Sequence, residues 1–217
     1  MQILAHRGFW KVASEKNTYE SIRKAFEYEF GIETDIRDYQ GKLVISHNVA
    51  DGSCMEAEDM FKCYKELGCC AQLALNVKAD GIQPLLAPLL QKYQIQNYFL
   101  FDMSIPELVV NEREQLKYYT RHSDIERECV MYDKACGVWL DCFYDRSWLS
   151  ETIIEKHVSS HKRMCIVSPE LHGYEYMAVW EMIKKNGYHK NDQISLCTDK
   201  PEEARRYFYE QNKSCIV

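Results

Sequence analysis

The chain has 217 residues, of which 46% are hydrophobic and 28% charged, with a formal net charge of −6. This size and balance suit one globular domain with a substantial core; no Pro/Gly/Ser-rich linker divides it, so a single domain over 1–217 is expected. The acidic balance argues against a broad nucleic-acid or anionic-membrane footprint, and no apolar run approaches a membrane span.

Strand-like residues begin directly after Met1, which leaves no room for a secretory leader and makes the cytoplasm the expected compartment. The ten cysteines include no C-x-x-C pair and are expected as reduced, mostly buried thiols, not as a disulfide framework or a zinc site. Short apolar runs then alternate with helical patterns along the whole chain. Strands are predicted at 2–6, 31–37, 72–78, 98–101, 118–121, 137–143, 164–168 and 194–198, with helices filling the intervals. Asn17-Thr18 opens the first helix, whose apolar stripe is Ile22, Ala25, Phe26 and Phe30, and Gly31 is expected to end it. Ser104 or Pro106 opens a fourth helix, Ser147 or Ser150 a sixth, and Pro201 stands in the first turn of the last. About eight strand-then-helix units predict an α/β fold, a compact single (β/α)8 TIM-type barrel, with an open doubly wound sheet as the alternative. The segment 38–47 adds a tight turn and an extra extended piece, forming a hairpin after the second strand that carries His47 back toward that strand's end.

In such a barrel the functional end is the carboxyl end of the strands, where His6, Asp35, Asn76, Lys78 and Asp141 are expected. The alternation of Ile32, Thr34 and Ile36 toward the helices turns Glu33 and Asp35 inward, and in the third strand it turns Asn76 and Lys78 inward. Two inward carboxylates repel, so a cation or a basic partner should share their space. His6 and His47 can divide acid and base duties near neutral pH, and the planar fork of Arg7 can grip two phosphate oxygens. Together these residues are the inventory for metal-assisted cleavage of a phosphodiester.

In this order they also resemble the glycerophosphodiester phosphodiesterase family, within the wider phospholipase-C-like phosphodiesterases built on a TIM barrel. His6-Arg7-Gly8, Asn17-Thr18, Glu33-x-Asp35 and His47 match the family's opening motifs, and Thr198-Asp199-Lys200-Pro201 looks like its closing one. The resemblance implies His6 and His47 as the acid/base pair, Arg7 and Lys78 on the substrate phosphate, and Glu33, Asp35 and Asn76 as ligands of Mg²⁺ or Ca²⁺. The implied partner is a small phosphodiester; the oligomeric state is left open. Two positions depart from the pattern: Asn76 stands where the family usually has a glutamate ligand, and Asn48 where it has aspartate after the second histidine. Each removes a negative charge, and Glu170, after the seventh predicted strand, is a candidate compensating carboxylate. The departures keep two alternatives open beside hydrolysis, a lyase-type relative that leaves a cyclic phosphate and a catalytically impaired phosphodiester-binding relative. His122 and His172 follow predicted strands and could touch substrate, although solvated loop positions are the favoured reading. His157 and His161, four apart, are expected on a helix surface and not as metal ligands.

Overall fold

The computed structural model describes residues 1–210. Nine strands alternate with seven helices: β1 (Gln2–His6), α1 (Tyr19–Glu27), β2 (Gly31–Tyr39), β3 (Lys42–Ile45), α2 (Ala57–Glu66), β4 (Leu73–Val77), α3 (Gln83–Lys92), β5 (Tyr98–Phe101), α4 (Ile105–Arg113), β6 (Tyr119–His122), β7 (Gly137–Leu140), α5 (Glu151–Ser159), β8 (Arg163–Val167), α6 (Met177–Lys185), β9 (Ile194–Thr198) and α7 (Pro201–Tyr209). Eight of the strands run parallel in the order β5-β4-β2-β1-β9-β8-β7-β6. The two ends of that series meet at a parallel bridge between Leu100 and Tyr118, where the Leu100 N–H donates to the Lys117 carbonyl at 2.9 Å. The result is a nearly closed (β/α)8 barrel, as the alternation of elements predicts. The extra hairpin is present too: β3 pairs antiparallel with β2, from Ile36 with Ile45 to Tyr39 with Lys42. Its turn, Gln40-Gly41, has both residues at positive φ, +48° and +78°, the conformation that matches the right-handed twist of the flanking strands.

Two local expectations are corrected. No helix covers the connection from β6 to β7: residues 123–136 form turns and bends, and this omission helps a barrel fit into a short chain. Gly31 does not end the first helix but is the first residue of β2, and the left-handed residue that stops α1 is Glu29, at φ +58°. Gly31 is needed for a different reason. A Cβ there would lie 2.2 Å from Leu4 Cδ2 and 2.6 Å from the Gln72 carbonyl oxygen, so the three strands can approach only around a glycine.

The apolar interior has two parts, separated by the barrel wall. Outside it, Ile22, Ala25, Phe26, Ile32, Ile36, Met60 and Phe61 pack helices onto strands. Inside, the filling is lopsided: Phe99, Phe101, Tyr119 and Trp139 come from β5, β6 and β7, while β1, β4, β8 and β9 contribute Leu4, Ala74, Cys165 and Cys197. Phe99 stacks on Tyr119 at 3.7 Å between ring centroids and Phe101 on Trp139 at 3.8 Å, so four rings plug the barrel below its carboxyl end. Above this plug the inward residues change abruptly from apolar to charged. Among the described residues no helix is long and apolar enough to cross a membrane.

Candidate active site

The charged layer begins on β2. Its alternation turns Glu33 and Asp35 inward as expected, and both are buried, at 2% and 0% exposure. Asn76, level with Asp35 on β4, donates through Nδ2 to Glu33 Oε1 at 3.3 Å and to Asp102 Oδ2 at 3.1 Å. Arg7, just past β1, sets its Nε 3.1 Å from Asp35 Oδ2, and Asn17 donates to that same oxygen at 2.9 Å. Lys78 Nζ lies 3.5 Å from Asp35 Oδ1 and 3.8 Å from Asp102 Oδ2. Even with these neighbours, three buried oxygens have no hydrogen-bond donor: Glu33 Oε2, Asp35 Oδ1 and Asn76 Oδ1. Burial and the Asp35 charge push the Glu33 carboxyl up to about 8. Acceptors without a hydrogen-bond donor on three neighbouring side chains, two of them carboxylates, are a ligand set suited to a hard divalent cation, so the residues fit the Mg²⁺ or Ca²⁺ that the resemblance implies.

His6 borders the same layer. Its Nδ1 is 2.6 Å from Asp199 Oδ1, and its Nε2 is 3.7 Å from Glu33 Oε2. Burial lowers the His6 pKa, only partly offset by Asp199, so the ring is neutral, with Nδ1–H donated to the carboxylate and the Nε2 lone pair directed inward. Asp199 is itself held. Burial opposes its ionisation, but the hydrogen bond from His6 and the charge of Lys16 prevail and keep its carboxyl below the usual range. Its backbone N–H donates to Glu170 Oε1 at 3.2 Å. Glu170 also accepts from Ser168 and Thr198, and buried Trp180 donates to Ser168 Oγ at 2.8 Å. Glu170 therefore anchors the Asp199 turn with both oxygens occupied. The carboxylate beside Asn76 is Asp102, which the sequence reading did not select and whose pKa is raised by desolvation against the pull of Lys78 and Arg121.

His47 lies past β3, exposed, with Nδ1 3.0 Å from Asn48 Oδ1. It lines a cavity of about 460 Å³ together with Arg7, Lys16, Asn17, Ser46 and Asn48. Arg7 thus belongs to both places: its Nε faces Asp35, and its side chain borders the cavity that His47 enters. Arg7, Asn17 and Asp102 all have positive φ, at +57°, +60° and +68°. Non-glycine residues in that region cost of order 1–3 kcal/mol each, and three of them at one barrel end mark a place where backbone strain is retained.

Across the mouth, Asp141 accepts from His172 Nε2 at 2.8 Å, and that bond raises the His172 pKa. His172 is therefore not a solvated loop residue but part of the rim. Expectations for two other histidines also fail. His122 and His157 are buried, at 2% and 0% exposure, on the outer side of the barrel wall, with His122 Nδ1 2.8 Å from His157 Nε2. His161 follows α5 at φ +54° and is exposed, so the four-residue spacing to His157 brings nothing together. Asp199 and Asp102 could have been found from one signal, a carboxylate just after a predicted strand's carboxyl end.

Comparison with solved structures gives the same fold. A glycerophosphodiester phosphodiesterase from Agrobacterium tumefaciens superposes with a TM-score of 0.69 at 14% identity, covering 93% of this chain and 97% of that one. A phosphodiesterase from Oleispira antarctica, solved in complex with the product sn-glycerol-3-phosphate, gives 0.68 at 12% identity over 95% and 96%. A Ca²⁺-dependent phosphatidylinositol-specific phospholipase C from Streptomyces antibioticus gives 0.56 at 8% identity over 94% and 95%. No protein-family profile and no curated protein matches the chain.

Proposed function

We propose that the chain is a metal-dependent phosphoric diester hydrolase acting on glycerophosphodiesters or a related small phosphodiester. The observation that carries this reading is the trio of donor-less buried oxygens on Glu33, Asp35 and Asn76, set between Arg7 and an imidazole already held by a carboxylate. The fold shared with a glycerophosphodiester phosphodiesterase, and with a phosphodiesterase in complex with its product sn-glycerol-3-phosphate, supports the substrate class.

In this reading the substrate phosphate lies against Arg7, whose guanidinium neutralises charge at the border between the barrel mouth and the His47 cavity. A Mg²⁺ or Ca²⁺ held by Glu33, Asp35 and Asn76 would supply Lewis-acid stabilisation of a phosphoryl oxygen. Neutral His6 takes the proton of the attacking hydroxyl or water at Nε2, and Asp199 stabilises the imidazolium that forms. His47, which lines the adjoining cavity, gives a proton to the leaving alkoxide, and exchange with solvent then resets both rings. Lys78, between Asp35 and Asp102, balances the acidic rim and lies beside the phosphate. Acid/base assistance contributes roughly 10²–10⁴-fold, so charge stabilisation must provide much of the remainder.

The test is hydrolysis of a glycerophosphodiester panel with and without chelator, by wild type, His6→Ala and His47→Ala. Chelator-sensitive turnover that falls at least about 100-fold in each variant is expected. Full activity in both variants would discard the assignment. The product reports the chemistry: a linear monoester indicates hydrolysis, whereas an accumulating cyclic phosphate would favour the lyase reading, for which the fold shared with a phosphatidylinositol-specific phospholipase C is the supporting observation.

A further inference from the structure

The helix-free connection between β6 and β7 covers its side of the barrel with something other than an apolar stripe. His122 ends β6 but, unlike its neighbour Arg121, turns away from the barrel mouth and packs edge-on to Trp148 at 4.8 Å between ring centroids. His157 comes from α5 and Cys129 from the connection itself. One donor atom from each of the three lies within 4.8 Å of the others. Two imidazoles and a thiol drawn from three separate segments, with both rings buried, need a physical reason to be there.

We propose that His122 Nδ1, His157 Nε2 and Cys129 Sγ form a zinc site that fastens the β6–β7 connection to β6 and α5, distinct from the Mg²⁺ or Ca²⁺ site at the barrel mouth. Nitrogen and sulfur ligands in this ratio select zinc over the hard cations suited to the all-oxygen trio of Glu33, Asp35 and Asn76. Zn–N bonds of about 2.0–2.1 Å and a Zn–S bond of about 2.3 Å need ligand atoms some 3.3–3.7 Å apart, so a small opening of the His–His pair, 2.8 Å apart, admits the ion. The outer partners suit ligation as well. His122 Nε2 is 3.1 Å from the Arg127 carbonyl, which accepts only, so the proton sits on Nε2 and Nδ1 offers a lone pair. His157 Nδ1 is 2.9 Å from the Tyr132 hydroxyl.

Without metal this geometry permits one neutral chain: Tyr132 O–H to His157 Nδ1, His157 Nε2–H to His122 Nδ1, and His122 Nε2–H to the Arg127 carbonyl. Zinc binding breaks the middle link and reverses the one to Tyr132. The His157 proton moves from Nε2 to Nδ1 and is donated to the Tyr132 oxygen, Cys129 releases its thiol proton to solvent, and a water completes the fourth position. Half-buried Cys129 provides the way in.

The experiment uses the full chain after chelator treatment, with Co²⁺ as a spectroscopic stand-in for Zn²⁺. Wild type should develop a thiolate-to-cobalt charge-transfer absorption that one equivalent of Zn²⁺ removes. The absorption should be absent in Cys129→Ser and retained in Glu33→Gln, because the barrel-mouth ligands are all oxygens. Zn²⁺ should raise the Tm of wild type but not of Cys129→Ser, and Tyr132→Phe should weaken Zn²⁺ binding about tenfold by removing an outer partner of His157. No such absorption in wild type, its persistence in Cys129→Ser, its loss in Glu33→Gln, or equal Zn²⁺ affinity in wild type and Cys129→Ser would each overturn the proposal.

Discussion

Asp199 stands 193 positions from His6 in sequence and 2.6 Å from it in space, and it fixes which nitrogen of that ring carries the proton. An asparagine there presents an amide that can donate to Nδ1 and shift the proton to Nε2, the wrong nitrogen for taking a proton. Asp199→Asn should therefore lower kcat by on the order of 100-fold or more with little change in KM, as measured on a glycerophosphodiester; a kcat within twofold of wild type would remove Asp199 from the mechanism. His172 poses a separate residue-scale question. Its bond to Asp141 raises its pKa above the ordinary 6.5, so the folded state holds the proton more tightly than the unfolded chain does. That contribution is complete below the unfolded value and is lost as pH rises through the raised one. The difference in unfolding free energy between wild type and His172→Gln should shrink as pH goes from about 6 to about 8.5, measured by urea denaturation; a difference independent of pH would mean that the imidazolium–carboxylate pair contributes nothing.

At the scale of elements, one helix ending recurs, and sequence alone conceals it. After α1, α3, α4 and α5 the chain turns through Glu29, Gln94, Gln115 and His161, each in the left-handed region, and the next residue's N–H returns to a carbonyl five positions back, as from Ile95 to Leu90 and from Leu116 to Asn111. Glycine usually occupies this place, and among the described helix ends it does so at Gly68, Gly173 and Gly187. Since a side chain in that conformation costs roughly 1–2 kcal/mol and glycine loses some of that gain to unfolded-state entropy, exposed Gln94→Gly and Gln115→Gly should each stabilise the fold by about 0.5–1 kcal/mol, seen as a higher urea midpoint with unchanged slope. A lower midpoint would show that these turns are unstrained. The same feature explains why Gly31 looked like a helix stop: the true stop is a glutamate, which carries no signal, whereas strand position and inward direction follow from alternation and place His6, Glu33, Asp35, Asn76 and Lys78 at one barrel end. The β6–β7 connection was illegible for a related reason, because Ile125, Val130 and Met131 supply apolar residues without the spacing of a helix face. Pairings such as Asp199 with His6 and His122 with His157 depend on strand order in the sheet and on helix packing, which no local pattern encodes.

For the whole molecule, the barrel divides into an aromatic plug that stabilises the fold and a charged layer above it that opposes folding. Glu33 is the clearest case of the second, a buried carboxyl beside Asp35 with one oxygen lacking any donor. Its amide analogue keeps the shape and has no carboxyl that folding must force into its protonated form, so in chelator-treated protein Glu33→Gln should melt higher than wild type. With Mg²⁺ or Ca²⁺ the order should reverse. A ligand at 100 times its Kd stabilises the folded state by about 2.7 kcal/mol, which for a chain of this size is roughly 5–10 °C in Tm, and Glu33→Gln should lose most of that increment. Asn76→Glu should move in the opposite sense: it trades two donated hydrogen bonds for a third carboxylate, lowering the chelator-treated Tm while enlarging the cation-dependent rise. Calorimetric scans of the three proteins with chelator, with Mg²⁺ and with Ca²⁺ give nine melting temperatures that decide the matter. If the cation increment is the same in all three, the layer of buried acid is no ion site, and its cost to stability must be offset by some other interaction.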